Sequence, residues 1–199
     1  MMKTNNEIEQ IANDILNKFL KRGGTYKIFD EIMRTENIKF KEVNSTNFNF
    51  IGALTKGNNG QVYIMVNSNI DNFGRRNFTI AHELGHYFLS HHLTQNAFYC
   101  AEEMIVEEGL WNNPIEQEAN YFASCLLMPK EKVKSAFLNI LFYSRKAKIK
   151  DFLHVKNDYT FGIWKPIKDE LTKRYGVSET ALRYRLQQLN LAKFEFTNL

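Results

Sequence analysis

The chain has 199 residues, the size of one domain with at most a small appendage. Hydrophobic residues make up 44% and aromatic residues 14%, which excludes a disordered protein and predicts a full hydrophobic core. The net charge of +4 is too small to indicate a nucleic-acid-binding protein by itself.

The cysteine content indicates a reducing compartment. Cys100 and Cys125 form no Cys-x-x-Cys pair, and two cysteines are too few for a secreted disulfide framework. The N-terminal residues contain no apolar segment of the signal-peptide kind, and no apolar run is long enough to cross a bilayer. The sequence therefore predicts a soluble cytoplasmic protein with no membrane contact.

Hydrophobic spacing predicts the elements of the N-terminal third. Residues 7–21 carry apolar side chains at helical spacing, and a second helix is predicted over residues 28–36. Three strands are predicted next, over residues 38–43, 48–54 and 61–66, and a Gly-Asn-Asn-Gly turn between the last two is typical of a hairpin. The third strand is apolar throughout, so we expect it at the centre of a small, three-stranded antiparallel sheet.

The segment Phe78–Leu89 contains the motif His-Glu-x-x-His within an apolar sequence of helical periodicity. On a helix, His82 and His86 project from one face, one turn apart, so their imidazoles can hold one divalent ion. Glu83 beside them can reach a water on that ion and act as general base. Two incidental histidines on a buried helix are the alternative, but the apolar helix around the motif favours a metal site.

A catalytic zinc usually has three protein ligands and one position for water, so a third ligand must come from elsewhere. His92 would complete the longer motif His-Glu-x-x-His-x-x-Gly-x-x-His, but Leu89 stands where that motif has the glycine of a sharp turn. Glu116, in a helix predicted over residues 115–127, would complete a His-His-Glu site. Glu118 points elsewhere on that helix, although helix phase alone does not exclude it.

The residues around these candidates lead to two further expectations. His91 and His92 follow the motif helix, and we expect both to be exposed near its C-terminus, where a positive imidazole is tolerated. Asn120 is one turn beyond Glu116, and we expect it to orient one of the motif histidines by a hydrogen bond.

The rest of the chain is predicted to be irregular or helical. Residues 91–114 show no regular pattern, a helix is predicted over residues 130–143, and residues 144–162 are the least interpretable part. Residues 163–191 place a helix, a glycine-containing turn and a second helix in succession, with Ser178 as N-cap of the second. This succession resembles a helix-turn-helix.

Two blocks of sequence together resemble a known family. Residues 78–86 contain the His-Glu-x-x-His motif, and residues 116–129 read Glu-x-x-Ala-Asn-x-Phe-Ala-x-x-Leu-Leu-Met-Pro. Their order and spacing are similar to those of the ImmA/IrrE zinc metallopeptidases, and the likeness covers about residues 25–191. We therefore expect a zincin-like metallopeptidase domain over residues 1–162, with a core at about 25–143, and a C-terminal helical segment over residues 163–199 packed on it.

The resemblance implies an endopeptidase of the kind found in phages and mobile elements, which cleaves a DNA-binding repressor in the cytoplasm. It implies one Zn²⁺ on His82, His86 and Glu116, with Glu83 as the catalytic residue. The expected fold class is α+β and mainly helical, with the His-Glu-x-x-His helix packed on the helix of Glu116. The expected partner is a protein substrate, a helix-turn-helix repressor, and DNA is not the favoured partner.

The alternative is a DNA-binding or repressor-binding regulatory protein with a non-catalytic zinc site. Basic residues of the C-terminal helices support it: Lys173, Arg174, Arg183 and Arg185. Structural zinc sites, however, are usually closed by four ligands, often cysteines, and Glu83 would then have no role. The sequence therefore favours the peptidase.

Overall fold

The computed structural model of the protein describes residues 2–20, 24–47, 49–91, 97–101, 113–143 and 151–195. The helices in these ranges are α1 (Asn5–Phe19), α2 (Phe29–Thr35), α3 (Phe73–Phe88), α4 (Pro114–Leu127), α5 (Lys130–Tyr143), α6 (Asp158–Tyr175) and α7 (Glu179–Gln188). The strands are β1 (Lys39–Val43), β2 (Phe50–Lys56), β3 (Val62–Asn67), β4 (Ala97–Ala101), β5 (Leu153–Val155) and β6 (Ala192–Phe194). The predicted α+β, mainly helical class is confirmed. Among the described residues, no helix combines the length and apolarity that a membrane span requires.

The larger sheet is mixed and, within the described ranges, has the strand order β1-β3-β2-β4. β2 and β3 form the predicted antiparallel hairpin, and β3 is internal as expected. The predicted three-stranded antiparallel sheet is nevertheless wrong in two respects. β1 pairs in parallel with β3, and β4 adds a fourth strand in a region predicted to be irregular. The alternation of apolar and polar residues in β1 does not indicate whether its partner strand is parallel or antiparallel. β4 could not be predicted because it is defined by its pairing with β2.

The motif helix α3 lies between the sheet and α4. It packs against β2 and β3 on one side and against α4 on the other, and α1 covers α4 in turn. The side chain of Asn72 caps α3 by accepting from the Arg75 backbone N–H, and Asn113 caps α4 in the same way at Ile115. The predicted packing of the motif helix on the helix of Glu116 is therefore confirmed.

Gly85 allows α3 and α4 to approach closely. A Cβ at this position would lie 3.0 Å from the carbonyl oxygen of Ala119 and 3.1 Å from its Cα. These are backbone atoms, which cannot swing aside as the end of a flexible side chain can. The Phe88 and Phe122 rings stack across the same interface with their centroids 6.0 Å apart. Gly85 thus sets the spacing between the two helices that carry the candidate ligands.

We expect Gly85→Ala to destabilise the protein by about 1–3 kcal/mol, the usual cost of overpacking, because α4 has to move away from α3. Gly162→Ala is the matched control, since Gly162 is also inside a helix but a Cβ there would meet nothing within 4 Å. This control should gain about 0.5–1 kcal/mol through helix propensity. Denaturant unfolding measures both, and equal stability of the two variants would contradict a packing role for Gly85.

The C-terminal helices pack on the rest of the protein. A Cβ on Gly74, in the first turn of α3, would lie 2.3 Å from the backbone nitrogen of Ser178. The buried Asn77 side chain donates to the carbonyl oxygen of Gly176 at 2.8 Å. The predicted succession of helix, glycine turn and helix is present, with Gly176 at φ 62° and Ser178 as the cap of α7. The turn between α6 and α7 therefore rests against the start of the motif helix.

Arg185 of α7 is a structural residue. Its side chain is fully buried, its Nε donates to the Met128 carbonyl oxygen at 3.0 Å, and its Nη2 donates to Glu9 Oε1 at 2.9 Å. These bonds join α7 to α1 and to the C-terminal end of α4. Arg174, on α6, is paired with Glu170 on the same helix. Arg185 therefore faces the protein interior, which removes it from the basic residues that supported DNA binding.

Two short strands frame the C-terminal helices. β5 precedes α6 and pairs in parallel with β6, which follows α7. The predicted domain boundary between residues 162 and 163 falls inside α6. The division into a peptidase domain and a C-terminal segment stays a prediction.

Candidate metal centre

The packing of α3 on α4 brings the three predicted metal ligands together. Glu116 Oε2 lies 3.1 Å from His82 Nε2 and 3.4 Å from His86 Nε2, and the two Nε2 atoms are 3.0 Å apart. In tetrahedral zinc coordination with bonds of about 2.0–2.1 Å, neighbouring ligand atoms are about 3.3 Å apart. The triangle of donor atoms therefore fits one ion of this size, and the three residues form a group that could hold a metal.

The ionisation of the three residues also suits a cation. Burial lowers the pKa of His86 to about 4, so its imidazole is neutral at physiological pH. Burial by itself would raise the pKa of Glu116, but the rings of His82 and His86, which face its carboxylate, hold that pKa well below its usual range. A neutral imidazole and an ionised carboxylate are the forms that bind a divalent metal ion.

Asn120 fixes the orientation of His82. Its Oδ1 lies 2.9 Å from His82 Nδ1, and both side chains are buried. With the proton on Nδ1, the lone pair of His82 Nε2 faces the ligand triangle. The prediction that Asn120 orients a motif histidine is confirmed, and the histidine is His82.

Glu83 lies against strand β2 and is fully buried. A Cβ on Gly52 of that strand would lie only 3.1 Å from Glu83 Oε1. Burial raises the pKa of Glu83 to about 8, and the negative charge of Glu116 adds to this shift. The charge of His82 and, to a smaller extent, the Leu54 backbone N–H lower the pKa. Among the residues that the structure describes, neither carboxylate oxygen has a well-aligned hydrogen-bond partner, which is unusual for a buried group and fits one that acts on a ligand of the site.

The raised pKa predicts that Glu83 destabilises the metal-free fold as the pH rises. The unfolded chain releases the Glu83 proton near pH 4.5, whereas the folded chain keeps it to about pH 8. The contribution of this protonated side chain to the free energy of unfolding is therefore complete below pH 4.5 and is lost as the pH rises through 8. Glu83→Gln keeps the neutral form, and it should be more stable than the wild type at pH 8 by an amount on the order of a few kcal/mol. The difference should shrink toward zero as the pH approaches 4.5.

Denaturant unfolding of both proteins in the presence of a chelator, as a function of pH, measures this difference. The lowered pKa of His86 acts in the opposite direction, but it is common to both proteins and cancels in the comparison. A stability difference that does not change with pH would show that Glu83 is not the titrating group.

His91 is buried, so the prediction that it is exposed is wrong. Its Nδ1 lies 3.0 Å from Nδ1 of His86. The chain reverses at Ser90, which has φ 64° in the left-handed region. The sequence disfavoured a sharp turn because Leu89 stands at the glycine position of the longer motif, whereas the chain turns one residue later, on a serine. His92, the alternative ligand, lies outside the described residues.

Glu118 is buried as well, and it points away from the ligand triangle as expected. Its Oε2 lies 3.0 Å from His91 Nε2, and its Oε1 accepts from the Lys3 backbone N–H at 2.5 Å. Sequence reasoning missed this group. The signal was a second acidic residue in a helix with a strong apolar stripe, because buried acidic side chains are almost always paired.

Two imidazoles from one helix and a carboxylate from another, beside a buried glutamate, define a candidate mononuclear site of the metallohydrolase class. Residues 33–187 match the family Peptidase_M78, the IrrE N-terminal-like domain. The chain therefore belongs to this family of metallopeptidases, which confirms the resemblance inferred from the two sequence blocks. None of the curated proteins matches the chain.

Proposed function

We propose that the protein is a zinc-dependent endopeptidase in which His82, His86 and Glu116 hold one Zn²⁺ and Glu83 is the general base. The observation that carries this proposal is the triangle of three donor atoms, 3.0 to 3.4 Å apart, next to the buried Glu83. The described residues supply three donors to this group, which suits a catalytic zinc better than a structural zinc with its usual four. Family membership supports a peptide bond as the substrate.

The chemistry divides between the ion and the protein. A bound zinc would supply Lewis acidity, lowering the pKa of water and polarising the scissile carbonyl. Glu83 accepts a proton from the attacking water at a carboxylate oxygen, and it then donates that proton to the nitrogen of the leaving amine. Glu83 has to be ionised for the first step, and a divalent cation bound by the three ligands would favour its ionised form.

We further propose that the substrate is a DNA-binding repressor of the helix-turn-helix kind, whose cleavage in the cytoplasm relieves repression. This part of the proposal rests on the resemblance to the ImmA/IrrE peptidases. The buried Arg185 and the packing of the α6–α7 turn on α3 support a protein substrate rather than DNA as the partner. These contacts support a structural role for the C-terminal helices.

Co-expression with the helix-turn-helix repressor encoded nearest to the gene tests the proposal. The wild-type protein should convert the repressor to two fragments, whereas Glu83→Gln, present at the same level, should leave it intact. An intact repressor with both proteins would contradict the proposed substrate. Loss of repression by Glu83→Gln without cleavage would favour the repressor-binding regulatory protein instead.

A further inference from the structure

The ring of His86 is held from the side opposite the ligand triangle by a chain of hydrogen bonds. His86 Nδ1 lies 3.0 Å from His91 Nδ1, and His91 Nε2 lies 3.0 Å from Glu118 Oε2. The other carboxylate oxygen of Glu118 accepts from the Lys3 backbone N–H at 2.5 Å. The side chains of His86, His91 and Glu118 are all buried.

One arrangement of protons satisfies these contacts and leaves His86 able to bind a metal. Nε2 of His86 faces Glu116 and must present a lone pair to the ion, so the ring proton is on Nδ1. His91 Nδ1 then accepts that proton, and a neutral His91 carries its own proton on Nε2. His91 Nε2–H donates to Glu118, which accepts at both carboxylate oxygens and so ends the chain.

We infer that His91 and Glu118 are positioning residues for His86: they select the tautomer and the ring orientation in which Nε2 faces the ligand triangle. His91 does not bind the same ion, because its ring contacts Nδ1 of His86 whereas the ion would be at Nε2. The inference rests on the proposed metal site. It adds two residues, His91 and Glu118, that do not bind the ion themselves.

The two metal histidines thus have different supports. His82 is oriented by the neutral amide of Asn120, whereas His86 is oriented by an imidazole that a carboxylate holds in turn. The position of His91 depends on the left-handed turn at Ser90, and the Lys3 ammonium group anchors the start of that turn by donating to the Leu89 carbonyl oxygen at 2.9 Å. A carboxylate behind an imidazole also makes the ligand a stronger electron donor.

Zinc affinity, measured by competition with a chromogenic chelator, tests the inference. His91→Leu removes the acceptor and should weaken zinc binding by about 10- to 100-fold, the usual effect of losing an outer hydrogen-bond partner. His91→Asn places an amide oxygen near the former position of Nδ1 and should recover part of this loss. Glu118→Gln should be intermediate, because His91 and the Lys3 backbone contact different carboxylate oxygens and the amide keeps an acceptor oxygen at only one of the two positions.

The chain offers a matched control in a second histidine–glutamate pair on other elements. His154 of β5 has its Nε2 2.9 Å from Glu195 Oε2. His154→Leu makes the same substitution in this more exposed pair, and it should bind zinc as tightly as the wild type.

Heteronuclear NMR of the ring nitrogens in the zinc-loaded protein distinguishes orientation from general loss of structure. The wild type should show a protonated, slowly exchanging Nδ1 on His86, and His91→Leu should lose this signal while the backbone spectrum stays dispersed. Wild-type zinc affinity in His91→Leu would overturn the inference. If His91→Leu does not fold, wild-type affinity in both His91→Asn and Glu118→Gln would overturn it equally.

The inference and the proposed function can fail separately. A wild-type protein that binds no zinc would overturn the metal site and this inference with it. Zinc binding that depends on His91 and Glu118, without cleavage of any repressor, would contradict the proposed substrate and support the inference.

Discussion

Glu83→Gln is expected to bind zinc with nearly wild-type affinity and to lose peptide hydrolysis by about 10²- to 10⁴-fold, the usual contribution of a general base. The amide has nearly the shape of the carboxylate but cannot take a proton from the attacking water. The side chain is fully buried next to the ligand triangle, so no bulk water can replace it as base from the same position. The loss should therefore appear in the chemical step and not in metal content.

Cleavage rate and zinc affinity have to be measured on the same preparation. Glu170→Gln is the control: it makes the same atomic change on α6, where Glu170 is paired with Arg174 and half-exposed, and it should change neither quantity. Retained cleavage by Glu83→Gln would show that another group acts as base. The same substitution is expected to stabilise the metal-free protein at pH 8, so activity and stability should change in opposite directions at this residue.

Glu116→Ala is expected to lose zinc affinity by more than the roughly 10- to 100-fold that loss of an outer partner such as Asn120 costs. Glu116 supplies one of three donor atoms, so its removal leaves two imidazoles alone. The fold should survive, because α4 is held by fully buried apolar side chains at Phe122, Leu126 and Leu127. Asn120→Ala should lie between Glu116→Ala and the wild type.

Chelator competition together with circular dichroism measures affinity and folding on each variant. His92→Ala is expected to change neither, since Glu116 already supplies the third donor beside His82 and His86. His82→Ala and His86→Ala should each lose the metal, and full metal occupancy in the double variant would rule out the site. A loss in His92→Ala with retention in Glu116→Ala would move the third ligand to His92.

Local features of the fold were predictable from the sequence because they depend on neighbours along the chain. The spacing of apolar residues predicted α3, α4 and α5, and Ser178 was recognisable as the start of α7. The two motif histidines could be placed on the same face of the helix, because residues four apart on a helix lie one above the other.

The third ligand shows where local reasoning ends. Helix phase distinguishes Glu116 from Glu118 only once the orientation of α4 against α3 is known, and Gly85 sets the spacing of that contact. The family resemblance identified Glu116, and the structure shows its carboxylate 3.1 Å from His82 Nε2.

The sequence by itself therefore determined the helices, the hairpin, the face that carries His82 and His86, and the family. The tertiary structure alone decided that β1 runs parallel to β3, that Arg185 is buried, and that His91 and Glu118 meet behind His86. The physical reason is the range of the interactions. Helix periodicity and capping act within a few residues of the chain, whereas strand pairing, burial of a charge and the hydrogen bonds behind a metal ligand join residues that meet only when the elements pack.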